Sequence, residues 1–272
     1  MCNKNKNLKF HALGSPERIW AISAIHGELD RLMGMHDAIL ERFNVGDKLV
    51  YLGNYTGYSE DSAACVEEII TFRRLILSIP GVRCSDLSYL RGAQEEMWQK
   101  LLQLQFAPDP TNVLLWMLSN GLSNTLYSYG LSPHDGIEAC RNGIMGISRW
   151  IEQVRTAMRK HAGHEIFGTE LKRAAHTSQQ GDYPMLFVNS GIDVRRSLED
   201  QGDRLWWYGE HFTKINAAYD PFQKVVRGYD PTHKGVHLNC ATATIDGGAG
   251  FGGSVVCAAF EQDGNVAELL EA

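Results

Sequence analysis

RIWAISAIHGELDRLMGMHDAILERF, residues 18–43, is the stretch from which the fold of this chain can be worked out. Residues 18–23 are mostly apolar, as in a short buried strand, and Gly27 then marks a turn. The apolar side chains that follow recur at the spacing of a helix; they are Leu29, Leu32, Met33, His36, Ile39, Leu40 and Phe43. The stretch therefore predicts a strand, a glycine turn that carries His26, and an amphipathic helix.

The same order of elements continues along the next part of the chain. DKLVYLG (47–53) is typical of a second buried strand, and residues 60–79 have the pattern of a second amphipathic helix, ended by Pro80 and Gly81. DLSYLRG (86–92) is a third strand that again carries glycine at its end. Strands that alternate with helices imply right-handed crossovers and a parallel sheet.

The remaining chain divides into a helical part and a strand-rich part. Residues of about 95–178 show helical periods, and short, closely spaced strand patterns follow them, as in a mixed or antiparallel arrangement. We predict a layered α/β sandwich of two mixed sheets with a helical cap at about 95–178. This single domain spans residues 11–272, and residues 1–10 form a flexible N-terminal tail.

Composition excludes several classes of protein. The net charge of −6 argues against a nucleic-acid surface, because phosphate backbones are met by basic patches. No apolar run reaches the ~18 residues that a membrane span needs. The polar start lacks an apolar signal core, which predicts a cytoplasmic protein. The cysteines are scattered without a Cys-x-x-Cys pair, as expected of reduced thiols; they are Cys2, Cys65, Cys84, Cys140, Cys240 and Cys257.

The residues just after each predicted strand are the candidates for a functional site. In open α/β sheets, ligands collect outside the carboxyl ends of the strands. The residues at those positions are Ala24, His26, Asn54, Ala93, Gln94, Asn189 and Tyr229. A histidine thus stands in the first turn where a ligand is expected, two residues after an alanine.

Five blocks at these strand ends resemble a known set of motifs. They are SAIHG (23–27), GNYTGYS (53–59), RGAQE (91–95), VNSGI (188–192) and RGYDP (227–231). In order and spacing they are similar to the Gly-Asp-x-His-Gly, Gly-Asp-x-x-Asp-Arg-Gly, Gly-Asn-His-Glu, Val-His-Ala-Gly and Gly-His-Thr motifs of the calcineurin-like metallophosphoesterases. The resemblance is to the bacterial phosphoprotein (serine/threonine) phosphatase type and runs from Arg18 to about Phe260. It implies the metallophosphoesterase fold.

The same resemblance implies that the active site is degenerate. Members of the family hold two metal ions through two aspartates, an asparagine and three histidines. Of these six positions only His26 keeps its residue type, and the others are Ala24, Asn54, Ala93, Asn189 and Tyr229. The catalytic histidine corresponds to Gln94, its supporting aspartate to Gly57, and the phosphate-binding arginine to Tyr58.

These replacements bear directly on the chemistry. Two divalent ions held close together repel each other, and anionic ligands are what make such a pair stable. An amide such as that of Gln94 does not titrate near neutral pH and so cannot protonate a leaving group. We therefore expect no catalytic residues and no metal cofactor, and predict a pseudophosphatase that acts as a binding, scaffolding or regulatory protein.

Two alternatives stay open at this point. The first is an active phosphoesterase, acting on phosphoserine and phosphothreonine or on nucleotides, with an altered manganese, iron or zinc site. The second is a sensor in which the emptied cleft binds a phosphorylated small molecule. The residues that would line such a pocket are His26, Asn54, Tyr58, Gln94, Asn189 and Tyr229.

A rebuilt metal site is a further possibility. His233 and His237 are four residues apart, and in an extended segment both would face the same way, with Asp246 later in the chain. Glu95 and Glu96 follow the third strand, where acids suit the first turn of a helix and are expected to be solvated.

The predicted cap also carries apolar side chains that suggest a partner. One stripe at helical spacing comprises Ile137, Ile144, Ile147, Ile151, Val154 and Met158. Large side chains elsewhere in the cap add to it; they are Trp116, Met117, Tyr127, Tyr129, Met145 and Trp150. Aromatic and methionine side chains supply contact area at modest entropy cost. We expect the cap to dock another protein or a second copy of this chain.

Overall fold

The computed structural model describes residues 9–272 and contains eleven strands and nine α-helices in that range. The strands are β1 (Phe10–Gly14), β2 (Arg18–Ile22), β3 (Lys48–Tyr51), β4 (Leu87–Tyr89), β5 (Ala174–Thr177), β6 (Met185–Val188), β7 (Lys224–Arg227), β8 (His237–Leu238), β9 (Thr242–Thr244), β10 (Val256–Glu261) and β11 (Val266–Glu271). The helices are α1 (Leu29–Leu40), α2 (Ser62–Leu77), α3 (Ala93–Leu101), α4 (Pro110–Met117), α5 (Ser123–Ser128), α6 (Pro133–Arg141), α7 (Gly143–Arg159), α8 (His164–Glu170) and α9 (Arg204–Trp207).

The strands form two mixed sheets, which confirms the predicted fold class. The five-stranded sheet has the order β11-β10-β2-β3-β4, with β2, β3 and β4 parallel and β10 antiparallel to both of its neighbours. The six-stranded sheet has the order β1-β5-β6-β7-β9-β8, and β6, β7 and β9 are parallel to one another. The parallel strands place their carboxyl ends along one edge of the molecule.

Side chains along each strand point alternately to the two faces of the sheet, and this explains the layered packing. In β2, Ile19 and Ala21 lie between the sheets, where they share a buried cluster with Phe187 of β6. Trp20 and Ile22 point to the opposite face and pack with residues of α1 and α2. Because successive side chains of a strand face opposite sides, a strand that is apolar throughout must be buried on both faces.

Three strands were absent from the prediction: β1, β5 and β11. Phe10 is buried and begins β1, so the predicted tail of residues 1–10 overlaps a strand, and residues 1–8 of that tail lie outside the described residues. Strand β11 alternates half-buried and exposed residues, including Glu268 and Glu271, and pairs only with β10 in its sheet. A short edge strand with charged residues on its outer face gives a weak sequence signal.

Helices α3–α8 form the helical cap, which has a hydrophobic core of its own. Most of the apolar stripe on α7 is buried, and Ile147, Ile151 and Val154 belong to this core, so these three side chains are not available to a partner. Docking through the rest of the cap surface stays a prediction. The stripe and neighbouring side chains that are buried are Met117, Ile147, Trp150, Ile151, Val154 and Met158. The ring of Trp150 lies over Gly136 of α6, where an added Cβ would be 2.6 Å from it. The large apolar side chains of the cap that remain exposed are Phe106, Leu115, Trp116, Tyr127, Ile144, Met145 and Ile166.

No helix within residues 9–272 is long and apolar enough to cross a membrane. The five cysteines in the described part of the chain are free thiols, as predicted, and Cys2 lies outside it.

Candidate functional site

The turns after β2, β3, β6 and β7 meet in one place, which we call the strand-end cleft. The backbone N–H of His26 donates to the carbonyl of Asn54 at 2.8 Å. The N–H of Ala24 donates to the Gly228 carbonyl, and that of Tyr229 to the Asn189 carbonyl, both at 2.9 Å. The structure therefore brings together the strand-end residues that the sequence singled out.

Two asparagine side chains of the cleft bind the first turn of α3. The Oδ1 of Asn54 accepts a hydrogen bond from the N–H of Gln94 at 3.2 Å, and the Oδ1 of Asn189 accepts one from the N–H of Ala93 at 3.3 Å. The Nδ2 of Asn189 donates to the carbonyl of Leu52 at 2.7 Å. The first N–H groups of a helix have no partner within it. Here the amide oxygens that a metal ion would need are used to satisfy those groups.

Glu95 joins three segments of the cleft through its carboxylate. It accepts hydrogen bonds from the N–H groups of Gly92, Asn54 and Tyr55, each at 2.9 Å. Burial raises the pKa of this carboxyl, and the backbone donors offset part of that effect. The expectation that Glu95 is a solvated first-turn acid was wrong, because the turn after β3 folds back onto it.

Gln94 links the cleft to the cap. Its side-chain amide donates to the carbonyl of Asn120 at 2.9 Å, at the kink between α4 and α5. Gly57 lies against both Gln94 and His26, and an added Cβ would be 2.8 Å from Nδ1 of His26. Gly57 has a φ of 137°, which side chains rarely tolerate. A supporting carboxylate at position 57 therefore has neither the space nor the backbone conformation that it needs.

His26 is enclosed at the centre of the cleft. Its side chain is 1 % exposed, and neither ring nitrogen has a hydrogen-bond partner among residues 9–272. Burial lowers the pKa of His26 to about 3. The nearby backbone of Thr56 offsets a small part of this lowering, although it is not placed for a hydrogen bond to the ring. The imidazole is therefore neutral at pH 7, because desolvation disfavours its charged form.

Aromatic rings close the cleft above His26. Tyr58, Tyr229 and Phe251 approach it edge-on, with ring centroids 5.2, 5.3 and 5.7 Å away. Phe251 also lies 4.4 Å from Tyr58 and 3.9 Å from His233 between ring centroids. We call Tyr58, Tyr229, His233 and Phe251 the aromatic lid. Phe251 was not among the sequence candidates, although it stands alone between the glycines of GGAGFGG (247–253).

His233 and His237 do not form the metal site that was considered from the sequence. Nδ1 of His233 lies 3.4 Å from Oδ2 of Asp246, whereas His237 is exposed in the two-residue strand β8. The expectation assumed an extended segment, but Gly235 has a φ of 83° and His233 itself a φ of 47°, so the alternation of side chains is lost.

The carboxylates beside the turn after β7 are already bonded. Asp246 accepts hydrogen bonds from the N–H groups of Asp230 and Gly248 at 2.8 and 2.9 Å. Asp230 forms an ion pair with the buried Arg227 at 3.1 Å. These acids therefore stabilise the loop from β7 to β9.

Sequence reasoning missed one group of metal-capable side chains. Glu67, His161 and His164 place their ligand atoms within 4.8 Å of one another, and they are the only such group of three among residues 9–272. The pair of histidines in HAGHE (161–165) could have indicated a metal site, but it lies far in sequence from the strand ends.

Comparison with known proteins supports the fold. No protein-family model matches the sequence, and no curated protein sequence matches it. A structure described as a "putative diadenosine tetraphosphatase" matches with a TM-score of 0.58 and 14% identity, over 97% of this chain and 98% of that one. A hypothetical protein, PH1004 from Pyrococcus horikoshii OT3, matches with a TM-score of 0.51 and 14% identity, over 94% and 87% of the two chains. At this identity the likeness shows a shared fold only.

Proposed function

We propose that this chain is a pseudophosphatase: a protein with the phosphoesterase fold that binds or scaffolds other molecules without hydrolysing phosphate esters. One observation carries the proposal. The strand-end cleft, where this fold places its ligands, is filled by amide–backbone hydrogen bonds and by the aromatic lid around a neutral His26.

The composition of the cleft opposes two-metal chemistry. None of its seven strand-end residues is a carboxylate, so no anionic side chain at these positions would offset the repulsion between two divalent ions. Asn54 and Asn189 are neutral donors whose oxygens already accept backbone N–H groups. Such ions would supply a bound hydroxide and polarise the phosphoryl oxygens. Without carboxylate ligands, His26 alone would have to hold them.

Phosphatase activity is the direct test. With added manganese, we expect p-nitrophenyl phosphate and diadenosine tetraphosphate to be hydrolysed no faster by the wild-type chain than by His26→Asn. Asparagine is a suitable replacement because it tolerates the φ of 52° at this position. Steady-state hydrolysis rates measure the comparison. Turnover by the wild type that His26→Asn abolishes and His161→Gln retains would contradict the proposal.

We also propose that the binding function uses the exposed face of the cap. Ile144 and Met145 lie side by side at the start of α7, and each is 66% exposed. Trp116 is half-exposed on α4 and contacts Trp207 of α9, with ring centroids 5.7 Å apart. Ile144, Met145 and Trp116 belong to the exposed part of the predicted cap surface, and they are the candidate contacts for another protein or for a second copy of this chain.

Self-association is the form of this proposal that can be tested with the purified protein. We expect a dimer that the double variant Ile144→Ser, Met145→Ser weakens at least tenfold, which corresponds to ~1.4 kcal/mol. Sedimentation velocity over a range of concentrations measures the effect. Leu75→Ser, an exposed change on α2 outside the cap, is the matched control. A wild-type chain that stays monomeric at every concentration would contradict self-association.

A further inference from the structure

Three metal-capable side chains meet where the cap touches the body of the protein. Glu67 lies on α2 of the body, His161 follows α7 of the cap, and His164 begins α8. Nδ1 of His161 lies 2.5 Å from Oε1 of Glu67, and Nε2 of His164 lies 4.0 Å from the same oxygen. We call these residues the Glu67–His161–His164 cluster.

The turn between the two histidines holds them on the same side. Gly163 has a φ of 92°, a conformation that favours glycine, and it reverses the chain between α7 and α8. The imidazole rings of His161 and His164 consequently lie 5.0 Å apart between centroids. A regular helix would also place residues three apart on one face, but α7 has ended before His161.

His164 is arranged as a ligand is in known metal sites. The residue is 3% exposed, and its Nδ1 lies 2.8 Å from the hydroxyl oxygen of Tyr129. Its buried Nε2 has no hydrogen-bond partner among residues 9–272 and is the atom that faces Glu67 and His161. Histidines that bind metals usually donate their other ring N–H to a nearby acceptor, which fixes the tautomer and the ring.

We propose that the Glu67–His161–His164 cluster binds a divalent transition-metal ion, with zinc as its occupant. Zinc bonds to imidazole nitrogen and carboxylate oxygen are ~2.0–2.2 Å long, so the ligands of a tetrahedral ion lie roughly 3.3 Å apart. The present separations, from 2.5 Å to at most 4.8 Å, bracket that spacing. Side-chain adjustments of about an ångström would place all three atoms around one ion.

The kind of ligands selects the kind of ion. Two imidazoles and one carboxylate suit zinc, whereas magnesium and calcium prefer ligand sets made of oxygen. Three protein ligands leave the fourth position to water. His164 also lines a cavity of about 150 Å³, together with Val66 of α2 and Thr125 and Tyr129 of the cap.

The ion would join the cap to the body. Glu67 comes from α2, which packs on the five-stranded sheet, and both histidines come from the end of the cap. Metal binding to the folded chain is therefore expected to stabilise the contact between the two parts. This site is independent of the strand-end cleft and does not depend on the pseudophosphatase proposal.

Zinc binding by the full-length chain, freed of metal with a chelator, tests the proposal. We expect isothermal titration with zinc to show one site per chain and saturating zinc to raise the melting temperature by about 5 °C. Magnesium at the same concentration is expected to cause no shift. His161→Gln and Glu67→Gln change exposed or half-buried groups, so the variants should fold, and each is expected to lose at least tenfold in zinc affinity.

Two matched variants separate this site from the others. His237→Gln removes an exposed histidine of β8, and His26→Asn removes the histidine of the cleft; both are expected to bind zinc as the wild type does. The proposal is overturned if zinc does not bind, or if binding survives both His161→Gln and Glu67→Gln. Loss of zinc in His26→Asn alone would place the ion in the strand-end cleft, and would overturn both this proposal and the pseudophosphatase proposal.

Discussion

Replacing Glu95 with alanine is expected to destabilise the fold by roughly 3–5 kcal/mol. The carboxylate accepts three backbone N–H groups, from Gly92, Asn54 and Tyr55. A buried donor that loses its partner costs about 1–3 kcal/mol, and water entering the space recovers part of that loss. The expected effect is therefore close to that of removing a large core side chain.

Urea unfolding followed by circular dichroism measures this change. Glu138→Ala on α6 is the matched control, because Glu138 is exposed and its loss is expected to change the free energy of unfolding by less than about 0.5 kcal/mol. Glu95→Gln is expected to fall between the two, because an amide offers only one acceptor oxygen. If the free energy of unfolding of Glu95→Ala lies within about 1 kcal/mol of the wild-type value, Glu95 does not hold the turns together.

Acid is expected to weaken the wild-type protein more than the His26→Asn variant. The pKa of His26 is lowered from 6.5 to about 3 by burial, so between these values the unfolded chain binds a proton that the folded chain does not. Above pH 6.5 the group contributes no pH dependence. As the pH falls below 6.5, the free energy of unfolding decreases by ~1.4 kcal/mol per pH unit from this group alone.

The comparison between wild type and variant isolates His26 from the other titrating groups. Tyr58, Tyr229 and His233 face it in both proteins. Between pH 6.5 and pH 4.5 we expect the wild type to lose about 2 kcal/mol more of its free energy of unfolding than His26→Asn. Denaturant unfolding at several pH values measures the difference. The prediction is wrong if the free energies of unfolding of the two proteins fall in parallel as the pH is lowered. The imidazole would then be either solvated or already protonated in the folded chain.

The sequence was sufficient to predict the layers of the fold. A strand segment that is apolar throughout, such as residues 19–22, must be buried on both faces, and the alternation with helices predicted the parallel strands β2, β3 and β4. For the second sheet only a mixed or antiparallel arrangement was predicted. Strands β1 and β5 and the edge strand β11 were missed, since short or half-exposed strands lack that pattern. The helical character of the cap followed from the sequence, but much of its buried face was taken for a surface. Helical periodicity shows which side chains share a face and does not show what that face packs against.

The sequence also located the turns of the cleft but not what their side chains do. Glycine and asparagine at the strand ends marked the turns that form the cleft. The resemblance to the metallophosphoesterase motifs gave the order of these turns along the chain. That Asn54 and Asn189 hold the first turn of α3, and that Phe251 covers His26, depends on contacts between residues far apart in the chain. Such contacts leave no local pattern. The Glu67–His161–His164 cluster was missed for the same reason, since Glu67 and His161 are 94 residues apart.

Anomalous diffraction from crystals soaked in manganese tests most directly whether the strand-end cleft has lost its metal chemistry. We expect no anomalous peak between His26, Asn54 and Asn189, because the amide oxygens there accept backbone N–H groups and the aromatic lid covers the histidine. A peak at the Glu67–His161–His164 cluster leaves this conclusion intact. Two peaks in the cleft, about 3.5–4 Å apart and with His26 as a ligand, would contradict it.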